Sequence, residues 1–284
     1  MRALLALAVL SLVWGYNWVV MKEALRFSGP FTFTALRCLS GGVALLLILL
    51  AMRRSLAPGT YVGVTILGLL QTSGFMGLAT WALVSGGAGK TAVLVYTMPF
   101  WLLVMAWPLL GERIQGLQWA TVISVLIGLV LIIKPWHLHG KLFSIVLALL
   151  SGFAWALSGI WIKHLQRQGY TERLTLTAWQ LVIGSVPLLI AALLTESQPN
   201  WTSYYIGAVV YNGLPATALA WLLFLYAVQN LPAGIAGMGT LLTPIAGVLS
   251  AWLQLGEIPD PMEGVGIAFI LIGLAALSWE RLVQ

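Results

Sequence analysis

The chain has 284 residues, of which 60% are hydrophobic and only 8% are charged. Soluble globular domains carry about 25% charged residues, so this composition excludes a soluble fold, and it excludes intrinsic disorder as well. The formal net charge of +6 comes from scattered basic residues with no run longer than Arg53-Arg54, which excludes a nucleic-acid-binding surface. One cysteine, Cys38, cannot form an intrachain disulfide. We therefore expect a membrane protein that holds no cofactor and no metal.

Ten apolar runs are long enough to cross a bilayer, whose hydrocarbon core is about 30 Å thick and needs about 20 residues per helix. They predict an all-α polytopic membrane protein with short connections, so its function lies within the bilayer. The ten predicted transmembrane helices cover residues 4–21, 31–52, 61–83, 88–110, 117–133, 142–162, 174–194, 204–228, 233–255 and 264–282.

The distribution of basic residues predicts the orientation of these spans, because cytoplasmic connections carry an excess of Lys and Arg. A cytoplasmic N-terminus places eight basic residues inside and five outside. The inside set is Arg2, Arg53, Arg54, Arg113, Lys163, Arg167, Arg173 and Arg281, and the outside set is Lys22, Arg26, Lys90, Lys134 and Lys141. We predict a multi-pass protein of the bacterial inner membrane with both termini in the cytoplasm.

The two halves of the chain align with each other at an offset that drifts only from 141 to 145 residues. This divides the chain into two five-helix units, residues 4–133 and 142–282. An odd number of helices makes the second unit enter the membrane from the opposite face, the inverted arrangement that many transporters use for alternating access. The matched pairs include Trp14 with Trp155, Lys22 with Lys163, Pro99 with Pro244 and Glu112 with Glu257, while Arg37 falls on Gln180.

The motifs of these units resemble the EamA-type members of the drug/metabolite transporter superfamily. They are Val13-Trp14-Gly15-Tyr16-Asn17-Trp18 with Lys22, then Arg37, Pro99 and Leu110-Gly111-Glu112-Arg113, and in the second unit Pro244 and Leu255-Gly256-Glu257. The second unit departs from the pattern at Gln180 and Ile258. The resemblance implies ten helices, cytoplasmic termini, a central cavity between the halves, and export of amino acids or related metabolites.

Arg37 is the only formal charge well inside a predicted span, where an arginine costs about 2.5 to 3.5 kcal/mol on insertion scales. It can attract the carboxylate of a substrate, or it can act as a structural brace by reaching the interface or binding helix-terminal carbonyls. We favour the brace, because Arg37 lies only about 10 Å from the end of its span.

Trp14, Asn17 and Trp18 share one face of the first span, and a buried amide in hydrocarbon needs partners. This face predicts either a substrate site with aromatic walls or an interhelical contact in which the indoles only fill the core. The matching face of the sixth span carries Trp155 and Ser158, so a cavity flanked by indoles is expected between the two helices.

Pro99 and Pro244 lie within their predicted spans, where each removes a backbone hydrogen bond and predicts a kink. The carbonyls freed at Val95 and Thr240 could bind a substrate ammonium, but we favour a purely structural kink.

Further polar and aromatic residues of the spans complete the candidate site. The tyrosines and tryptophans near the membrane boundary are equally well explained as members of the aromatic belts at the membrane–water interfaces. We interpret Glu112 and Glu257 as helix-end anchors and Lys90 as a gating residue at a loop edge, and we do not expect His137 and His139 to bind metal. The additional substrate-binding candidates are Gln71, Trp81, Tyr96, Trp101, Tyr211, Met238 and Thr243.

These features predict an exporter of amino acids or related small amphipathic metabolites that works by alternating access. A multidrug or other metabolite exporter is the alternative, although no acidic residue lies deep in a predicted span to attract cationic drugs. A membrane-embedded enzyme is the alternative from another class, and it would need a base and a nucleophile that converge. The predicted partners are a small-molecule substrate and the lipid bilayer, and the oligomeric state stays open.

Overall fold

The computed structural model describes residues 2–110, 116–133, 142–170, 172–231 and 240–283, and within these ranges it contains helices and no strands. Two π-helical stretches, here called the first π segment (Gly68–Gly77) and the second π segment (Leu214–Leu219), join α3 to α4 and α10 to α11. The helices are α1 Arg2–Ala24, α2 Pro30–Ala51, α3 Tyr61–Leu67, α4 Leu78–Ser85, α5 Ala88–Val95, α6 Met98–Leu110, α7 Leu117–Ile133, α8 Leu142–Arg167, α9 Arg173–Thr195, α10 Ser203–Gly213, α11 Ala220–Asn230, α12 Leu242–Leu255 and α13 Pro261–Val283.

Seven helical stretches within the described residues are long and apolar enough to cross a membrane. Three shorter apolar helices, Gln118–Ile133, Leu242–Leu255 and Pro261–Ala276, accompany them. Large aliphatic side chains such as Leu193 and Leu253 are more than 80% exposed on the outside of the bundle, where only lipid can cover so much apolar surface. The seven long stretches are Arg2–Ala24, Pro30–Ala51, Tyr61–Ser85, Ala88–Met105, Leu142–Arg167, Arg173–Thr195 and Ser203–Ala227.

Local signals start and stop these helices. The hydroxyls of Thr60 and Thr202 accept hydrogen bonds from backbone N–H groups in the first turns of α3 and α10. Pro30 occupies the first turn of α2, where its missing N–H costs nothing. Gly256 ends α12 in the left-handed conformation, with φ of 67°.

Most of the helix contacts join one half of the chain to the other. In one set of contacts, α1 packs against α12 and α11, and α8 packs against α5, α6 and the first π segment. In another, α2 packs against α10 and the second π segment, and α9 packs against α3 and the first π segment. Two further pairs, α2 with α9 and α7 with α13, join the first half of the chain to the second. The main buried core therefore lies between the halves.

The bundle has two ends that differ in charge. The end that carries Lys22, Lys90 and Glu257 is called the Lys22 end below, and the opposite end, with Arg54 and Arg173, is called the Arg54 end. At the Lys22 end, the carboxylate of Glu196 accepts 2.8 Å hydrogen bonds from the Phe31 and Thr32 N–H groups that begin α2. At the Arg54 end, the α2–α3 loop is held by the indole of Trp179, whose N–H donates to the Leu56 carbonyl at 2.6 Å.

Candidate functional site

Two neighbouring cavities occupy the centre of the bundle and share the side chains of Trp14, Tyr96, Trp155 and Trp221. The small cavity has a volume of about 60 Å³ and is lined by Trp14, Asn17, Trp18, Met21, Arg37, Phe75, Met76, Ala79, Tyr96, Trp155, Ala216, Thr217 and Trp221. The large cavity has a volume of about 260 Å³ and is lined by Trp14, Gln71, Tyr96, Met98, Pro99, Leu102, Trp155, Ser158, Gly159, Ile162, Trp221, Phe224, Thr240, Leu241 and Leu274. Both halves of the chain contribute walls to each cavity.

Aromatic side chains form two packed groups on the cavity walls. On one side, Trp155 stacks on Phe75 with ring centroids 4.5 Å apart, and its edge meets Tyr96 at 5.5 Å. On the other side, Trp14 contacts Trp221 with ring centroids 6.0 Å apart. Such pairs contribute about 0.5 to 1.5 kcal/mol beyond their burial and hold the rings in fixed orientations. The cavity walls are therefore built for an apolar or aromatic group.

Both π segments contribute side chains to the cavity walls. The first π segment carries Gln71, Phe75 and Met76, and the second carries Ala216 and Thr217. The carbonyl of Ala216 accepts the indole N–H of Trp14 at 2.8 Å, which fixes that ring on the cavity wall. Because π-helical turns are rare and frequently occur at functional sites, their position on the cavity is a structural sign of function.

Two buried polar residues face the small cavity from adjacent helices. Asn17 on α1 and Arg37 on α2 are each 6% exposed. Arg37 Nη1 donates a long hydrogen bond of 3.4 Å to Asn212 Oδ1. Within the described part of the chain, Arg37 Nε and Asn17 Oδ1 find no hydrogen-bond partner. Buried polar groups normally have partners, so these two atoms mark the polar side of an otherwise aromatic cavity.

Most of the predicted substrate-binding residues lie on the cavities. The side chains that line one or both of them are Trp14, Asn17, Trp18, Gln71, Tyr96, Trp155 and Ser158, together with Arg37 and Pro99 from the residues predicted to be structural or gating.

Other predicted residues lie outside the two cavities. Trp81 packs between Phe31 and Phe143. Trp101 packs against Phe100 and Phe153.

Tyr211 and Thr243 are also outside the cavity walls. The Tyr211 hydroxyl donates to the Val13 carbonyl at 3.0 Å and so ties α10 to α1. Thr243 is fully buried in the first turn of α12. Met238 and Glu112 lie outside the described residues, as do His137 and His139.

Each of the two prolines lies in the first turn of a described helix. At Pro99 the predicted fourth span is broken, because α5 ends at Val95 and α6 begins at Met98. The interruption of the span is confirmed. The freed carbonyl of Val95 faces Gly152 of α8: a Cβ added at Gly152 would lie 2.9 Å from this carbonyl oxygen. Pro244 stands in the first turn of α12, where a missing N–H breaks no helical hydrogen bond. Residues 232–239, which precede it in the predicted ninth span, lie outside the described residues, so the kink at Pro244 stays a prediction.

Charged side chains link the helices at the Lys22 end. Lys22 Nζ donates to the carbonyls of Leu83 at 2.6 Å and Gly86 at 2.9 Å. Glu257 accepts a hydrogen bond of 3.2 Å from Gly89 N at the start of α5, and Lys90 forms a 2.8 Å ion pair with Glu263. These bonds connect α1 to the end of α4, and α5 to Glu257 after α12 and to α13. The large cavity lies toward the Arg54 end, because its α8 residues fall in the second half of that helix.

Sequence reasoning missed several side chains that the structure places on the cavities. The most informative are Phe75, Thr217 and Trp221. A helical spacing of four residues between Thr217 and Trp221 was a usable signal. Nothing in the sequence announced the π segments that set their direction.

Comparisons with known proteins identify the family. The sequence profile of the EamA-like transporter family matches residues 1–134 and again residues 142–279. The chain belongs to the EamA-like transporter family. It is therefore a membrane transporter of this type and a multi-pass membrane protein.

Similar proteins cover nearly the whole chain. The uncharacterized transporter YoaV of Bacillus subtilis (strain 168) is 30% identical over 90% of this chain and 89% of its own length. A Salmonella typhimurium protein named "Probable amino-acid metabolite efflux pump" is 27% identical over 95% of this chain and 92% of its own. A solved crystal structure covers 100% of this chain and 99% of its own with a TM-score of 0.70 at 18% identity, which shows the fold alone.

Proposed function

We propose that this protein exports amino acids or related small amphipathic metabolites across the bacterial inner membrane by alternating access. The observation that carries the proposal is the pair of central cavities, whose aromatic walls come from both halves of the chain. A mostly apolar cavity with a few convergent polar groups is the usual form of a small-molecule site. The Salmonella protein named as an amino-acid metabolite efflux pump supports the choice of substrate.

Alternating access is supported by the way the helices pair. If α1 corresponds to α8, and the α3–α4 region to the α10–α11 region, then the contact of α1 with α11 corresponds to the contact of α8 with α4. The contact of α2 with the second π segment corresponds in the same way to that of α9 with the first. At an offset of 145 residues, inside the range found by self-comparison, the two π segments also overlap. These correspondences favour ten membrane helices in two inverted units.

The orientation proposed from the basic residues agrees with the charges at the two ends. Arg54 and Arg173 lie at the Arg54 end, which we assign to the cytoplasm, and the carboxylates of Glu257 and Glu263 lie at the Lys22 end. The hydrogen bonds at the Lys22 end then close the outer side, while the large cavity extends toward the cytoplasm. This is the conformation in which an exporter loads its substrate.

An efflux assay tests the proposal. Purified protein is reconstituted into liposomes loaded with the standard amino acids and a set of neutral and cationic drugs, and release is followed by mass spectrometry with and without an imposed pH gradient. We expect protein-dependent release of amino acids, and we expect Trp14→Ala to reduce it at least tenfold. Trp119→Ala is the matched control, because Trp119 is 47% exposed on the outside of the bundle.

The outcomes separate the alternatives. Release of drugs without amino acids would replace the proposal with a multidrug exporter. No release of any compound, with correct reconstitution verified, would overturn it and return attention to a membrane-embedded enzyme. Release that needs the pH gradient would show proton coupling, and release without it would show a facilitator.

A further inference from the structure

The guanidinium of Arg37 is buried without a compensating carboxylate among the described residues. The three ion pairs in that part of the chain are Arg26–Glu23, Arg54–Glu172 and Lys90–Glu263. Arg37 instead has one long hydrogen bond to a neutral amide oxygen, and its Nε has no acceptor. A buried cation is normally paired, so this arrangement favours an anion that arrives from the cavity.

Asn17 offers the complementary chemistry on the same cavity. Its Oδ1 atom is a hydrogen-bond acceptor without a donor among the described residues, and its side chain is 94% buried. The small cavity therefore presents one strong donor, from α2, and one acceptor, from α1. A ligand that carries both an acceptor and a donor can satisfy both.

Two other buried amides, Gln180 and Asn212, have hydrogen-bond partners within the chain. Gln180, which aligns with Arg37 in the internal repeat, accepts a 2.9 Å hydrogen bond at Oε1 from the hydroxyl of Thr72. Asn212 donates through Nδ2 to the Ala208 carbonyl at 3.0 Å and accepts from Arg37. A residue that served only as a structural brace would be expected to have its hydrogen-bonding atoms paired within the chain, as Gln180 Oε1 is. Arg37 and Asn17 do not, and both line the cavity.

We propose that Arg37 binds the carboxylate of the transported molecule and that Asn17 Oδ1 accepts a hydrogen bond from its amino group. The inference rests on the proposed function and makes Arg37 the residue that selects carboxylates over their neutral derivatives. A planar guanidinium binds carboxylates through directed, charge-assisted hydrogen bonds. The large cavity, with its aromatic walls, then holds the substrate side chain.

The test compares L-phenylalanine with L-phenylalaninamide, which keeps the ring and the amino group and lacks the carboxylate. In proteoliposome efflux, we expect the wild-type protein to release phenylalanine at least tenfold faster than the amide, after subtraction of release from protein-free liposomes. Arg37→Gln should slow phenylalanine about tenfold to a hundredfold and leave the amide within a factor of three, since a hydrogen bond to a charged group is lost. Arg37→Lys should fall between the two.

Two further variants keep the result interpretable. Arg26→Gln makes the same chemical change at an arginine side chain that is 71% exposed at the Lys22 end, and it should alter neither rate. Asn17→Asp retains Arg37 but supplies a carboxylate of its own on the cavity, so it should slow phenylalanine and not the amide. Thermal unfolding of each variant in detergent shows whether it folds, and Asn17→Asp carries the test if Arg37→Gln does not.

The outcomes distinguish this inference from the proposed function. Equal wild-type rates for phenylalanine and its amide would overturn the role of Arg37 while leaving amino-acid export in place. Equal losses of both rates in Arg37→Gln, or an unchanged preference in Asn17→Asp, would also overturn it and establish the structural brace. If the wild-type protein releases no amino acid, the proposed function fails and the inference fails with it.

Discussion

Replacing Gly184 with alanine tests a close helix crossing that supports the cavity. Gly184 of α9 faces Gly68 and Thr72 of the first π segment, and a Cβ added at Gly184 would overlap the Gly68 carbonyl oxygen. At the same crossing, the hydroxyl of Ser73 donates to the Gly184 carbonyl at 2.6 Å. The crossing therefore sets the position of the π segment that carries Phe75 to the cavity wall.

The expected cost of Gly184→Ala follows from this geometry. The overlap involves backbone atoms, which move only with the helix, so we expect an overpacking cost of about 1 to 3 kcal/mol. Alanine also recovers about 0.5 to 1 kcal/mol of helix propensity, and this gain must be measured separately. Gly207→Ala provides it, because a Cβ at Gly207 of α10 would meet no atom within 4 Å.

The assay is thermal unfolding of the two variants in the same detergent, followed by efflux in proteoliposomes. At about 2 to 4 °C per kcal/mol for a protein of this size, Gly184→Ala should lower Tm by several degrees. Gly207→Ala should leave Tm unchanged or raise it slightly. Gly184→Ala should also slow efflux, because the π segment shifts. A Tm for Gly184→Ala equal to or above that of Gly207→Ala would refute the close crossing of these helices.

Three other substitutions have defined outcomes. Lys22→Met removes the charged hydrogen bonds that link the helices at the Lys22 end. Amide hydrogen exchange in α4 and at the start of α5 should therefore become about tenfold to a hundredfold faster. Unchanged exchange rates would mean that these bonds do not hold this end of the bundle together. Glu196→Gln weakens the carboxylate cap of α2 and should lower the free energy of unfolding by about 1 to 2 kcal/mol, measured by thermal unfolding. Glu172→Gln is the control, because Glu172 and Arg54 form an exposed ion pair with a 3.9 Å separation, and it should lower stability by no measurable amount. Phe75→Ala removes the ring that stacks on Trp155 and should slow amino-acid efflux about tenfold while the protein still folds. Efflux at the wild-type rate would show that the stacked pair does not shape the site.

The candidate site was predictable on α1 and only partly elsewhere. Trp14 and Asn17 were found because a polar amide between two indoles is unusual in an apolar helix, and both line the cavities. Trp81 and Trp101 are also tryptophans within apolar helices, but they pack against Phe143 and Phe153 and do not line the cavities. A helix that is apolar on all sides gives no periodicity that separates the lipid face from the core, so aromatic residues on it cannot be sorted from sequence.

Arg37 shows a second limit of sequence reasoning. Its depth along the span suggested a brace near an interface, but depth says nothing about which neighbours surround a side chain. The structure places it beside Asn212, a residue 175 positions away, and on the wall of a cavity. Only the pairing of α2 with α10 creates this environment.

The sequence by itself determined that the chain is a multi-pass membrane protein built from apolar helices. Its composition and the lengths of its apolar runs are compatible with a lipid bilayer and not with water as the surrounding solvent. Its motifs also indicated the EamA family before any comparison. The tertiary structure decided which side chains face the cavity and where helices become π-helical. These features depend on contacts between residues more than 100 positions apart, such as Trp14 with Ala216 and Thr72 with Gln180, and on close approaches that only packing can select.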